Sequence, residues 1–239
     1  VLLVVLPLLG EAAALAAKVF GVMRGSGDAP SPGGGGRGAA GRVAGGFAVL
    51  ALLAGLAVLV PAYTRVRAGE VLTYSMGNFP VPVGILLELD GLAWVYALSL
   101  LIALFALAHR EYGSEFYVFF MLLVGGMEGV VLTTDLFNMF VSFEIVAISA
   151  YVLIAYHREG TALVAAFKYL ILSSVGIFFF LLGIFVIYRE LGTLALPEIS
   201  AFYPEVTDPG SHRALRLALS MLVVGVGVRT AFIPFHTWL

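Results

Sequence analysis

Seven apolar runs dominate the chain, and short polar segments separate them. A helix that spans the hydrocarbon core of a bilayer needs about 20 mostly apolar residues. Each run is long enough to form such a helix, so the pattern predicts seven transmembrane helices. They cover residues 1–20, 43–63, 85–108, 116–133, 136–156 and 162–188, and the last run starts near Leu215 and continues towards residue 239.

The segments between these runs are typical of connections. Residues 25–41 are rich in Gly, Pro and Ser, which is the composition of a flexible linker, and residues 197–213 predict a longer polar loop. Strands are not expected, because an open sheet cannot lie in lipid and no barrel-like alternation recurs. The sequence therefore predicts an all-α, polytopic membrane helix bundle.

Composition agrees with a membrane protein and narrows its function. Apolar residues make up 61% of the 239 positions and charged residues only 12%. In soluble domains, about 45–50% of the residues are apolar and about 25% are charged. A net charge of −2 argues against nucleic-acid binding. Because the chain has no cysteine, it offers no thiolate ligands for a metal or an iron–sulfur cluster. We expect no cofactor in this chain, and any nearby redox chemistry belongs to a partner.

Three charged residues lie well inside the apolar runs: Glu144, Lys168 and Arg229. A central charge costs about 2.5–3.5 kcal/mol on insertion scales, so intramembrane charges usually have a function. At about 1.5 Å per residue, all three fall within the central band of a core about 30 Å thick. They predict a buried polar axis for protons or cations, along which Glu144 and Lys168 exchange protons. The alternative is a static salt bridge that locks the helices together.

Arg229 and His236 need a separate interpretation, because a guanidinium is effectively always charged. Arg229 can therefore set a fixed field or act as a structural counter-charge. His236 follows seven residues later, on the same face of a continuous helix. Pro234 should break or kink that helix, and broken helices mark ion paths in transporters. The alternative for His236 is a position at the membrane surface.

Two further acidic residues lie near the fifth run. Glu128 stands among glycines in the fourth run, and it either joins the polar axis or pairs with a basic group nearer the surface. Asp135 follows two threonines and precedes the fifth run, which predicts an N-cap of that helix.

Three segments resemble the antiporter-like subunits of Mrp-type cation/proton antiporters, membrane-bound hydrogenases and respiratory NADH–quinone oxidoreductases. DLFNMFVSFEI (135–145) is similar to their fifth-helix signature, AFKYL (166–170) to their sixth-helix lysine motif, and GVGVRTAFIPFHTWL (225–239) to their broken seventh helix. The resemblance covers residues 77–239, which we expect to form the ion-translocating part. Residues 1–76 match only as two apolar spans joined through the glycine-rich linker.

The resemblance implies the first part of an inverted-repeat fold, which has about fourteen helices in the whole family. It also implies that Glu144 and Lys168 form the central charge pair, which Arg229 and His236 extend. The family usually has lysine where Arg229 stands, and this departure favours a fixed charge at that position. Since only about seven helices are present, we expect the chain to be a fragment that does not complete a transport cycle alone.

The sequence thus predicts a proton- or cation-translocating subunit of a multi-subunit complex in a prokaryotic inner membrane. Its expected partners are other membrane subunits, lipid and H⁺ or Na⁺. The second hypothesis is a structural membrane subunit whose buried charges hold helices and partners together. A membrane enzyme is disfavoured, because the chain has no Gly-x-Ser-x-Gly and no His-Glu-x-x-His motif. If the protein carries the name of an enzyme, we expect that name to refer to a redox complex of which it is a subunit.

Overall fold

Long helices make up most of the computed structural model, which describes residues 39–75, 85–95, 97 and 113–233. Two short strands and one turn of 3₁₀ helix accompany them. The helices are α1 (Ala39–Arg67), α2 (Ser114–Leu132), α3 (Leu136–Ile154), α4 (Gly160–Leu191), α5 (Leu196–Phe202) and α6 (Pro209–Arg229), the strands are β1 (Leu72–Ser75) and β2 (Leu86–Leu89), and the 3₁₀ turn is Tyr203–Glu205.

The helical membrane bundle predicted from the sequence is confirmed. Within the described ranges, five helices are long and apolar enough to cross a membrane, and they match the second, fourth, fifth, sixth and seventh apolar runs. The first run and half of the third lie outside the described residues. Helix α4 has 32 residues, or about 48 Å at 1.5 Å per residue, so it extends beyond a hydrocarbon core of about 30 Å.

The expectation that the chain contains no strands is wrong. Strands β1 and β2 pair antiparallel, so the third apolar run begins with a strand. Leu87 also forms a bridge with Thr133, just after α2, and Leu87 and Leu89 are buried against α1 and α2. Backbone that is paired within the protein and covered by side chains escapes the cost of exposing polar groups to lipid. The expectation was wrong because the rule that an open sheet cannot lie in lipid applies only to sheets that are exposed to lipid.

The predicted polar loop at 197–213 is also more ordered than expected. It contains α5 and the 3₁₀ turn, and α6 begins within it. Asp208 caps α6, because its carboxylate accepts a hydrogen bond of 2.8 Å from the Ser211 backbone N–H. That N–H lowers the pKa of Asp208, since it stabilises the ionised carboxylate. Pro209 then occupies the first turn, where its missing N–H is harmless.

Asp135 caps α3 as predicted. Its Oδ1 accepts a hydrogen bond of 2.8 Å from the Asn138 backbone N–H, and the Asn138 side chain donates to Thr133 Oγ1 at 3.0 Å. These hydrogen bonds fix the three-residue connection between α2 and α3. This fixes where the fifth-helix signature begins relative to α2.

Glycines bring α4 and α6 into close backbone contact. A Cβ on Gly225 would lie 2.8 Å from the Gly176 carbonyl oxygen and 2.8 Å from Phe180 Cβ, and a Cβ on Gly183 would lie 2.9 Å from the Ala218 carbonyl oxygen. Small residues of this kind allow membrane helices to approach closely. Together with α3, these two helices enclose one of the apolar cores of the protein.

Gly225→Ala is expected to lower the thermal stability of the protein. The added methyl group must push α4 and α6 apart, and overpacking of this kind costs about 1–3 kcal/mol. Gly160→Ala is the matched control, because a Cβ there has no heavy atom within 4 Å. The two purified variants are compared by thermal unfolding in detergent. Equal melting temperatures would show that the close contact does not matter for stability.

Candidate functional site: a buried arginine against Glu144

Arg229 and Glu144 meet between α6 and α3. Arg229 Nη2 lies 3.7 Å from Glu144 Oε1, and Nη1 donates a hydrogen bond of 2.6 Å to the Phe143 carbonyl oxygen. The guanidinium carbon lies 5.1 Å from the centre of the Phe143 ring. The positive charge is therefore held by a carbonyl dipole, an aromatic face and a carboxylate, all supplied by two consecutive residues of α3.

The two partners differ sharply in exposure. The Arg229 side chain is 6% exposed, whereas that of Glu144 is 40% exposed. Within the described residues, Arg229 Nε and Nη2 have no hydrogen-bond partner, so the contact with Glu144 is an ion pair without a hydrogen bond. A guanidinium stays charged throughout the working range of pH. The site thus combines a fixed buried cation with a carboxylate that other groups can reach.

Lys168 does not take part in this pair. Its side chain is exposed on α4, and it forms no ion pair with any residue that the structure describes. Lys168 follows the buried Ala166 by two positions, or about 200° around the helix, so it faces away from the α4 surface that packs on the bundle. The predicted pairing of Glu144 with Lys168 is therefore not the one formed. A position counted from the end of a helix gives the depth of a residue but not the direction in which its side chain points around the helix.

Glu128 is buried on α2 without a partner in the described part of the chain. Its side chain is 1% exposed, and neither carboxylate oxygen has a hydrogen-bond partner there. Val124 and Leu132, one turn before and after it, belong to the apolar core that α2 forms with α1 and the strands. The structure thus leaves Glu128 outside the Arg229–Glu144 pair.

The broken helix begins earlier than the sequence suggests. Helix α6 ends at Arg229, and Ala231 has a positive φ of 51°. Arg229 is therefore the last helical residue, and the chain turns before it reaches the proline expected to break the helix. Pro234 and His236 lie outside the described residues, so their placement stays a prediction.

Sequence reasoning missed two groups at the site. The Phe143 carbonyl accepts the hydrogen bond from Arg229 Nη1, and Tyr151 stands two helical turns after Glu144 on α3. Tyr151 follows Glu144 by seven residues, which places both on the same face of α3. That spacing could have identified Tyr151 in the sequence. No sequence signal identifies a main-chain carbonyl as a ligand.

Known membrane proteins are similar to this chain in sequence. Residues 133–239 match the family described as NADH:quinone oxidoreductase/Mrp antiporter, transmembrane. NADH-quinone oxidoreductase subunit N of Desulforudis audaxviator is 38% identical over 205 residues, which are 80% of this chain and 39% of that protein. A probable K⁺/H⁺ antiporter subunit of Rhizobium meliloti is 32% identical over 172 residues, 70% of this chain and 32% of that protein.

Solved structures show the same fold. A chain of the membrane-bound sulfane sulfur reductase, an archaeal respiratory membrane complex, superposes with a TM-score of 0.82 at 27% identity, over 99% of this chain and 46% of that chain. A chain of the Mrp complex from Dietzia sp. superposes with a TM-score of 0.70 at 21% identity, over 100% of this chain and 43% of that chain. This chain therefore spans less than half the length of these relatives. Its residues 133–239 belong to the NADH:quinone oxidoreductase/Mrp antiporter transmembrane family, and the chain has the fold of the antiporter-like membrane subunits.

Proposed function

We propose that this chain is part of a subunit that moves protons or cations across the membrane, and that Glu144 is the residue that binds and releases the ion. The observation that carries the proposal is the pairing of a buried arginine with a half-exposed carboxylate between membrane-spanning helices. The relatives named as antiporter subunits and respiratory subunits support it.

The pair links ion binding at Glu144 to the electric field around it. When Glu144 is ionised, it neutralises Arg229, and when it takes up a proton, the charge of Arg229 is uncovered. Unit charges about 4 Å apart interact by about 1 kcal/mol in water and about 4 kcal/mol at an effective dielectric constant of about 20. Loss or gain of one proton can thus shift a neighbouring site, and interacting sites titrate as a unit.

Other intramembrane groups are candidates for the neighbouring sites. The sequence also predicts an ion-translocating role for Lys168, Glu128 and His236. To take part in ion transfer with Glu144, each of them would need contacts with further residues that are not among the described ones. The subunit would act within a multi-subunit complex of a prokaryotic inner membrane, with other membrane subunits as partners and H⁺ or Na⁺ as the ion. The chemistry of a carboxylate suits either cation.

A structural role is the second candidate, and one observation favours it. The 2.6 Å hydrogen bond from Arg229 to the Phe143 carbonyl ties α6 to α3 regardless of the charge on Glu144. Buried ion pairs can serve mainly to fix one arrangement of helices. On this hypothesis, replacement of Glu144 would impair assembly before it affected transport.

The proposal is tested with the native complex, purified in mild detergent and reconstituted into liposomes. A Na⁺ or K⁺ gradient, or the electron donor of the complex, is applied while a trapped dye reports the internal pH. We expect a pH change that a protonophore abolishes. A sealed, intact complex that moves neither protons nor alkali cations under any of these driving forces would contradict the proposal.

A further inference from the structure

A crevice of about 510 Å³ opens between α2, α3 and α4, at the end of the bundle where residues 155–159 join α3 to α4. This volume is typical of ligand sites, which enclose about 300–1,000 Å³. Arg229 and Glu144 do not line the crevice, so it is separate from the ion pair. Its walls are mainly apolar, and the side chains that form them are Phe119, Val152, Leu163, Ala166, Phe167 and Leu170.

The mouth of the crevice lies at the membrane surface. Helix α3 has 19 residues, or about 28 Å at 1.5 Å per residue, which matches a hydrocarbon core of about 30 Å. Its end at Ile154 therefore marks the edge of the core. The backbone N–H of Gly113 donates a hydrogen bond of 3.0 Å to the Tyr156 hydroxyl, which places the start of α2 at the same edge. Polar groups at the mouth thus lie at the level of the lipid headgroups.

The length of the crevice matches one leaflet of the bilayer. The crevice extends along α4 to Leu170, ten residues after Gly160, which is about 15 Å. Half of a core of about 30 Å has the same length, and a lipid acyl chain fills one such half. Leu163 and Phe167 are 48% and 60% exposed along this wall, and apolar side chains are covered more favourably by hydrocarbon than by water. The walls therefore suit an acyl chain.

Two opposite charges stand at the mouth. Glu115 lies in the first turn of α2, Arg158 lies in the connection between α3 and α4 with its side chain exposed, and both line the crevice. A guanidinium binds phosphate through paired N–H groups, and a carboxylate accepts hydrogen bonds from a primary ammonium group. The two side chains thus complement a headgroup that carries one phosphate and one primary ammonium.

The backbone at Arg158 also points to a role for its side chain. Arg158 has a φ of 55°, a left-handed conformation that glycine adopts more easily. The chain therefore presents a guanidinium at the mouth in spite of backbone strain, and such strain is found preferentially at functional positions.

We propose that the crevice binds one phosphatidylethanolamine molecule of the surrounding bilayer. One acyl chain lies along α4 and reaches Leu170, the phosphate contacts Arg158, and the ammonium group contacts Glu115. Phosphatidylglycerol, which has a phosphate but no ammonium, satisfies only Arg158. The proposal does not depend on ion translocation, because it rests on the shape and the charges of the crevice.

Photo-cross-linking tests whether a lipid occupies the crevice. The native complex is placed in phosphatidylcholine nanodiscs that contain a small share of phosphatidylethanolamine with a diazirine at the end of one acyl chain. After illumination, mass spectrometry locates the labelled residues of this chain. We expect labelling to concentrate on the crevice walls near Leu170. Labelling spread evenly over the exposed helix faces, or labelling that spares the crevice, would overturn the proposal and indicate bulk lipid or another protein segment there.

Ala166→Leu and Ala165→Leu are matched variants, because they are neighbours on α4 and only Ala166 lines the crevice. The larger side chain of Ala166→Leu takes the place of several methylene groups of the acyl chain, so we expect crevice labelling to fall about tenfold. Ala165→Leu should leave it unchanged. Ala155→Leu, which also fills the lining, serves if Ala166→Leu does not assemble. Equal crevice labelling in the lining variant and in Ala165→Leu would overturn the proposal.

Competition with unlabelled lipids tests the headgroup contacts. Phosphatidylethanolamine should displace the probe about tenfold better than phosphatidylglycerol, and Glu115→Gln should remove this preference. Arg158→Gln should lower crevice labelling about tenfold, whereas Arg213→Gln, an exposed arginine outside the crevice, should not. Equal competition by the two lipids in the unchanged complex, or full labelling in Arg158→Gln, would overturn the headgroup assignment.

Discussion

Glu144→Gln is expected to abolish coupled ion transport and to leave the complex assembled. The amide has the size of the carboxyl group but neither binds a proton nor carries a charge at working pH, and loss of a proton-transferring group costs about a hundredfold or more in rate. Assembly should survive because Arg229 keeps its hydrogen bond to the Phe143 carbonyl. Transport is measured in proteoliposomes, and assembly by co-purification of the other subunits.

Glu205→Gln is the matched control for this variant. Glu205 is an exposed glutamate in the 3₁₀ turn outside the spanning helices, so its replacement should leave both transport and assembly unchanged. If Glu144→Gln prevents assembly, the structural hypothesis gains. If it transports ions at the normal rate, Glu144 is not the binding residue.

Arg229→Met is expected to stop transport and also to destabilise the protein. The methionine fills a similar volume without charge, which leaves the Phe143 carbonyl without this donor and Glu144 without its counter-charge. A buried polar group that loses its partner costs about 1–3 kcal/mol. We expect a lower melting temperature of the purified complex together with loss of transport.

Arg229→Lys separates the charge from the shape of the guanidinium. Lysine keeps a positive charge, but its compact ammonium cannot reproduce the planar fork that reaches both Phe143 and Glu144. We therefore expect assembly and a reduced but measurable rate of transport. A complete loss of transport in Arg229→Lys would show that the guanidinium geometry itself is needed, and full activity of Arg229→Met would refute the fixed-charge role.

The helical architecture was predictable because length and hydropathy alone define a span. Asp135 was predictable too, since an acidic residue directly before an apolar run satisfies the free N–H groups of a helix start. The strand pair was not, because Leu87 and Leu89 read as the start of an apolar helix, and only pairing with β1 and burial against α1 and α2 make them a strand.

The sequence predicts which residues form the candidate site, but it does not predict which of them are in contact. Glu144, Lys168 and Arg229 stand out because charges are rare in apolar spans. Which of them meet depends on how α3, α4 and α6 are rotated against one another, and that rotation is set by close contacts such as Gly176 with Gly225. One sequence does not reveal these contacts. Arg229 reaches Glu144 because α6 packs along α4 next to α3, whereas Lys168 lies on the outer surface of α4.

Infrared difference spectroscopy of the reconstituted complex during transport tests the central claim most directly, because it observes the carboxyl group of Glu144 itself. Spectra are compared for the unchanged complex, for Glu144→Gln and for Glu205→Gln, which replaces an exposed glutamate outside the spanning helices. We expect a protonated-carboxyl band that changes during transport in the unchanged complex and in Glu205→Gln and is missing in Glu144→Gln. A complex that transports ions while no carboxyl band assignable to Glu144 changes would contradict it.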